Sequence, residues 1–241
     1  MKTSAKWLIA AGVTVVLVAG AGLAAGDYVY TSGTAVPCAI NADDVDNKPE
    51  HFVTPGKGNG PFEGSGWDKW VGYDLSDWWM TDVPYEAVTI PVADGIDLSA
   101  WWITPVNGNG KTVMVTHGIG TSRRDFNALL PSAMLVKNGF NVLLIDTRDT
   151  GESTCTDGRH SAGQEESDDF AVVADWLVAN KGVKSQSLGM FGVSGGAIAT
   201  SLLPAKTETV SAFAMEGTIF DFNADRKSTR LNSSHTVVSR M

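Results

Sequence analysis

The sequence predicts an α/β fold, a mostly parallel sheet with helices on both of its faces. Three observations predict it. Short unbroken apolar runs at residues 112–116, 142–145 and 188–193 read as strands buried on both sides. Segments of helical period lie between and after them, at 126–137, 168–180 and 195–203. An alternating pair, 86–92 and 98–104, joined by Ala93-Asp94-Gly95, precedes them as an antiparallel hairpin. Strands that alternate with helices imply crossover connections and a sheet covered twice.

The first element is apolar. Lys2 and Lys6 precede residues 7–26, a stretch without a charge. A secretory signal has an apolar region of about 7–15 residues, whereas a spanning helix needs about 20. Residues 1–26 are therefore expected to be an uncleaved signal-anchor, a transmembrane helix with a cytoplasmic N-terminus. Ala24-Ala25-Gly26 offers a cleavage site, so a chain secreted after signal cleavage is the alternative. Either way, the remainder is expected outside the cytoplasm, in the first case membrane-anchored on the extracytoplasmic face.

Residues 27–83 are expected to be a linker and pre-domain region. They hold the acidic Asp43, Asp44 and Asp46 and a glycine-rich run at 56–66 that reads as a flexible linker. Trp67, Trp70, Trp78 and Trp79 are expected to pack on the domain surface or near a membrane interface.

The domain itself is expected over 84–224. After the hairpin, Asn107-Gly108-Asn109-Gly110 makes a turn into strand 112–116. The helix at 126–137 stops at Asn138-Gly139, a helix C-terminal signal. Strand 142–145 follows. Asp168-Asp169 opens the next helix, since acidic residues suit the first turn. Strand 188–193 leads into helix 195–203, which Pro204 stops, and 210–215 is the last strand.

Residues 225–241 stand apart. They carry four basic residues and one acidic after an acidic domain, and 225–235 reads as the translation of a sequencing-library adapter. They are set aside as an adapter-derived tail. On this reading the domain is interrupted near Ala224, its last strands are missing, and 210–215 is left as an unpaired sheet edge.

Composition narrows the function. The chain has 241 residues, is 43% apolar and has a formal net charge of −9. Apolar content of that size supports a real core, while the acidic balance argues against a nucleic-acid partner. There is no Walker-type loop and no zinc-like Cys/His spacing, so neither a cofactor nor a metal is implied. Cys38 and Cys155 either pair or remain free thiols; two cysteines give no spacing evidence.

The chemistry gathers at Gly192-Val193-Ser194-Gly195-Gly196, a G-x-S-x-G pattern between a strand and a helix. A serine on such a sharp turn is thrust out at the strand's carboxyl end. Its backbone is held in an unfavourable conformation at a cost of about 1–3 kcal/mol. Gly192 and Gly196 flank it because a Cβ there would collide as strand and helix close up. The Gly195 amide then points where an oxyanion would form.

At this point the sequence resembles the α/β-hydrolase superfamily, closest to its membrane-anchored bacterial members with a short cap. The resemblance covers residues 84–222 and rests on four pieces in the family's order. They are the DG-L-x-AWW-x-x-P hairpin from Asp94 to Pro105, the HGIGTSRRDF loop, the DTRDTGES loop and the GVSGGA elbow. It implies the α/β-hydrolase fold, a serine hydrolase and Ser194 as nucleophile. The oxyanion amides would be those of Ile119 and Gly195. His117 would be structural, Arg123 or Arg124 would order the loop or lie on the surface, and Asp146 and Arg148 would fix loops. Asp149 stands where the family has glycine, and aspartate tolerates the left-handed conformation better than most residues.

In this family the order is serine, acid, histidine. His235, in the tail, is the only histidine after Ser194, and His51, His117 and His160 precede it. The base is thus missing, and the fragment is expected to be inactive. Glu216 or Asp221 could be the acid. The expected function is cleavage of a small-molecule ester or related acyl bond through an acyl-enzyme. Carboxylesterase chemistry leads, with thioesterase and peptidase left open. A hydrolase-like binding or scaffolding module with a dead site is the alternative.

Overall fold

The computed structural model describes residues 3–41, 44–54, 71–217 and 236–239, with residues 3–18 and 236–239 described by their backbone alone. The glycine run 56–66, Asp43, Trp67, Trp70, Asp221 and residues 225–235 lie outside the described residues. The chain divides into two compact units, Met1–Ala35 and Val36–Met241.

The first unit is one helix, α1 (Thr3–Thr34). It continues past Gly26, where the anchor segment was expected to end; no proline interrupts residues 27–34. Among the described residues, no helix is long and apolar enough to cross a membrane. The side chains of residues 7–18, most of the apolar run, lie outside them.

The second unit is built on β1 (Tyr85–Ala93), β2 (Ile96–Ile103), β3 (Thr112–Thr116), β4 (Asn141–Ile145), β5 (Leu188–Val193), β6 (Ala212–Glu216) and β7 (Thr236–Ser239). Their order in the sheet is β1-β2-β4-β3-β5-β6-β7. The hairpin β1–β2 is antiparallel, and β2 runs antiparallel to β4. The four central strands β4, β3, β5 and β6 are parallel. Chain order reverses at β3, which has β4 on one side and β5 on the other. The crevice beyond the carboxyl ends of β3 and β5 is therefore the switch point at which open α/β sheets bind ligands.

Two apolar layers hold the sheet. Leu143 and Ile145 face one way, packing with Met114 and Met190 against Phe170, Val173 and Leu177 of α3 (Gln164–Lys181) and Ala199 of α4 (Gly195–Leu202). Val142 and Leu144 face the other way, toward Ala128, Leu129 and Ala133 of α2 (Phe126–Lys137). This period-two alternation within β4 is what a strand buried on both faces requires.

Helix α2 has the expected bounds, with Asp125 accepting from the Asn127 amide at its start and Gly139 in the left-handed region (φ 82°) just after its end. Helix α3 begins four residues earlier than expected, at Gln164. Glu165 and Glu166 fill its first turn, and the Ser161 hydroxyl accepts from the Glu165 amide at 2.7 Å. Those groups satisfy a helix start as well as Asp168-Asp169 would.

Two expectations are corrected. Much of the segment expected as linker belongs to the domain. Phe52, Leu75 and Met80 are buried in the α2-side layer, Trp78 and Trp79 pack against it, and the Trp79 indole donates to the Phe52 carbonyl at 2.7 Å. The physical reason is that α2 alone leaves part of that sheet face open, and these apolar side chains cover it. The edge of β6 is also not unpaired. β7 lies antiparallel beside it, Phe213 opposite Ser239 and Glu216 opposite Thr236. Thr236, Val237 and Val238 are β-branched, the composition that suits a strand.

Candidate active site

Ser194 sits between β5 and α4 with φ 51° and ψ −112°, and its side chain is exposed. A positive φ at a residue other than glycine stores strain that the surroundings must hold in place. Its amide donates to the Glu216 carbonyl at the end of β6, 2.8 Å away, and its carbonyl accepts from Ala197 and Ile198 in the first turn of α4. The close approach explains the flanking glycines. A Cβ at Gly192 would overlap the Gly196 carbonyl, and one at Gly196 would overlap the His117 carbonyl.

The loop after β3 lies against the serine. A Cβ on Gly118 would stand 3.3 Å from the Ser194 Cβ and 3.8 Å from its Oγ. A Cβ on Gly195 would stand 3.0 Å from the Ile119 nitrogen. The backbones of Ile119 and Gly195 are thus side by side next to Ser194. Among the described residues, neither amide donates a backbone hydrogen bond in the surrounding loops and caps.

His117 fixes that loop from beneath. It is 2% exposed, and its Nε2 accepts from the Thr147 amide at 3.2 Å. The proton therefore sits on Nδ1, which donates to the Gly118 carbonyl at 2.8 Å. Burial pushes its pKa below 6.5, against an opposing pull from Asp146, so the ring is neutral. With both nitrogens engaged it is structural. His51 lies elsewhere, its ring tilted by 50° against Trp79 with 4.4 Å between the centroids.

The loop after β4 is held by ions. The Asp146 carboxylate accepts from the Arg123 guanidinium, the Arg123 amide (2.6 Å) and the Glu152 amide (2.9 Å). Arg123 is 1% exposed, also pairs with Glu152, and lies 4.6 Å over the Trp101 ring. Arg148 grips Asp169 through Nε and Nη2, at 2.8 and 2.6 Å, and this pairing raises its pKa. Asp149 has φ 61°, the left-handed conformation expected where the family has glycine. Its buried carboxylate accepts from the amides of Thr156, Asp157 and Gly158. Aspartate here supplies bonds that glycine could not.

Glu216 and Asp221 fare differently. Glu216 is brought beside the serine strand, with Val193 as its partner in the ladder, but its side chain is exposed. Asp221 lies outside the described residues.

A cleft opens between these parts. Val36, Ile119, His160, Ala162 and Ile198 line it, together with Gly195. Its far wall is the turn before α3, where Ala162 has φ 55° and Glu166 accepts from the Ser161 amide and hydroxyl. His160 Nδ1 accepts from the Ala162 amide at 3.2 Å.

One part of the lining was not foreseen. Val36 belongs to it, and two residues on, Cys38 is disulfide-bonded to Cys155 with 5.4 Å between the Cα atoms. The cysteine pair was its only available signal. Among the described residues, the two sulfurs and the Asp149 carboxylate lie within 4.8 Å of one another, but the sulfurs are bonded to each other and offer no thiolate to a metal.

The family model of the X-Pro dipeptidyl-peptidase (S15 family) matches residues 77–238, which is most of the chain. The chain belongs to the S15 family. This S15 member also has the α/β-hydrolase fold. The esterase Pf2001 of Pyrococcus furiosus is similar at 26% identity and TM-score 0.54, over 67% of this chain and 60% of that one. The α/β hydrolase GrgF of Penicillium sp. sh18 shares the fold at 21% identity and TM-score 0.52, over 60% of this chain and 50% of that one. The chain thus spans 60% of the length of the archaeal esterase. No curated protein matches it.

Proposed function

We propose that this S15 member is a serine hydrolase that cleaves an ester or related acyl bond through an acyl-enzyme on Ser194. The observation that carries the reading is the exposed serine at φ 51°, with the amides of Ile119 and Gly195 beside it. Ser194 Oγ attacks the substrate carbonyl carbon, and its proton passes to a general base. The carbonyl oxygen takes up negative charge and is held by the two amides, an interaction worth about 2.7–4 kcal/mol per donor in comparable sites. The alcohol leaves with a proton, and water then releases the acid and restores the serine.

His117 has both nitrogens engaged, His51 lies on Trp79, His160 Nδ1 accepts from the Ala162 amide, and His235 lies outside the described residues, so no described histidine is assigned the base role. Glu216 or Asp221 acts as the acid that orients the base. The full-length protein is expected to react with a fluorophosphonate probe and to release p-nitrophenol from short p-nitrophenyl esters, and Ser194→Ala abolishes both. Labelling that persists in Ser194→Ala overturns the assignment. An Xaa-Pro p-nitroanilide run in parallel separates an esterase from a peptidase.

We also propose that residues 7–26 anchor the chain in a membrane, with the hydrolase domain on the extracytoplasmic face. The uncharged run after Lys2 and Lys6 supports this. Carbonate-washed membranes are expected to retain the protein, and its release into the wash contradicts anchoring.

A further inference from the structure

The segment 36–54 is an accessory layer clasped to the loop that carries Ile119. Starting from its first residue, the Val36 amide donates to the Gly158 carbonyl at 2.8 Å. The Val36 side chain is 8% exposed and forms part of the cleft wall. Pro37 lies against Gly120, where an added Cβ would be 3.9 Å from its Cδ. Cys38 is bonded to Cys155 in the loop that Asp149 organises. The Asn41 amide group donates to the Gly120 carbonyl at 3.2 Å. Farther along, Asn47 donates to the Arg124 carbonyl at 3.0 Å, and Arg124 donates back to the carbonyls of Val45 and Asn47 at 3.1 Å each.

The contacts of Pro37, Asn41 and Asn47 converge on Gly120 to Arg124, the stretch immediately after Ile119, while those of Val36 and Cys38 tie the segment to residues 155–158. A loop that must hold an amide against developing charge gains from such restraint, because a misplacement of about 1 Å costs on the order of 100-fold in rate. Gly120 itself sits at φ 72° and has little stiffness of its own. Its carbonyl is held from outside by Asn41, and the strand of chain bearing Asn41 is held by the disulfide.

We infer that residues 36–41, tethered by Cys38–Cys155, are a working part of the serine site. Asn41 is a positioning residue for the Ile119 amide, and Val36 sets how large an acyl group the cleft accepts. The substrate class proposed is a short, unbranched acyl group, since the Val36 side chain shares the cleft lining with the apolar Ile119, Ala162 and Ile198.

This inference rests on Ser194 as the nucleophile, and its test separates the two. The full-length protein and its Val36→Ala, Asn41→Ala and Cys38→Ser/Cys155→Ser variants are titrated with ethyl and octyl fluorophosphonates, giving the inactivation rate constant and the probe affinity for each. Val36→Ala is expected to raise the octyl-to-ethyl preference about tenfold. Asn41→Ala is expected to lower the inactivation rate constant about tenfold with the probe affinity unchanged, a split that mere loosening of the fold does not produce. Unchanged preferences and rate constants in both single variants overturn the inference, whatever the cysteine variant does. If the wild type does not label, the Ser194 reading fails first. Amide exchange in residues 117–124 then decides the clasp, with acceleration by Asn41→Ala supporting it and no change overturning it.

Discussion

The two flanks of Ser194 are built to opposite standards. On the β3 side, the loop bearing Ile119 is underpinned by His117, braced by the Arg123–Asp146 pair and clasped by residues 36–54. On the β6 side, Glu216 contributes its backbone carbonyl to the Ser194 amide while its carboxylate faces solvent. In the proposed mechanism the difference has a reason: amides that stabilise charge need an immobile backbone, whereas a side chain that only orients a partner can stay exposed until that partner arrives.

Substitutions should expose this asymmetry. The largest effect is expected at Asp146. Asp146→Ala leaves the Arg123 guanidinium buried beside two unsatisfied amides, and losing one member of a buried pair costs about 3–5 kcal/mol. Urea unfolding of the oxidised protein measures it, and a cost below about 1 kcal/mol would break the comparison. A middle-sized effect is expected from His117 through pH. Its folded pKa lies below 6.5, so under pH 6.5 the unfolded chain binds a proton that the folded chain refuses. Stability should therefore fall as pH drops below 6.5, by at most about 1.4 kcal/mol per pH unit for one proton, until the folded pKa is reached. Unfolding midpoints across this range, compared with His117→Gln, isolate that slope; equal slopes would place the histidine's titration elsewhere. The smallest stability effect is expected at Glu216. Glu216→Gln should move stability by no more than about 0.5 kcal/mol, as for an exposed surface site. The same variant sharpens the assignment of the acid: whichever of Glu216→Gln and Asp221→Asn depresses probe labelling on the order of 10⁴-fold identifies it.

Much of this architecture was legible in the chain because its signals are local. The runs that became β3, β4 and β5 are continuous and apolar, and Asn138-Gly139 stops α2 where a left-handed residue is needed. The elbow glycines report a collision that any Cβ would cause, so Ser194 and Gly195 could be named from pattern, whereas Ile119 was named only through the family resemblance. What escaped was everything carried by distant pairing. Asn41 meets Gly120 and Asn47 meets Arg124 across 79 and 77 residues, and no periodicity encodes such contacts. Phe52, Leu75 and Met80 sit in segments rich in turns and glycine, where isolated apolar residues leave no strand or helix signature. The acid stayed open for a related reason, since the choice between Glu216 and Asp221 depends on where one side chain points after β6 ends.

The bond between Cys38 and Cys155 makes a covalent ring spanning 117 positions. Every residue of β1, β2, β3 and β4 is inside that ring, and β5, β6 and β7 are outside it. Those two groups are also contiguous in space, so the ring divides the sheet along the single boundary between β3 and β5. A closure of this size removes about 4.7 kcal/mol of denatured-chain entropy in the simplest model, and the gain falls to the encircled half. The Ser194 hydroxyl and the amide of Ile119 therefore come from opposite banks of one seam, and they meet only where the ringed half of the sheet joins the half outside the ring.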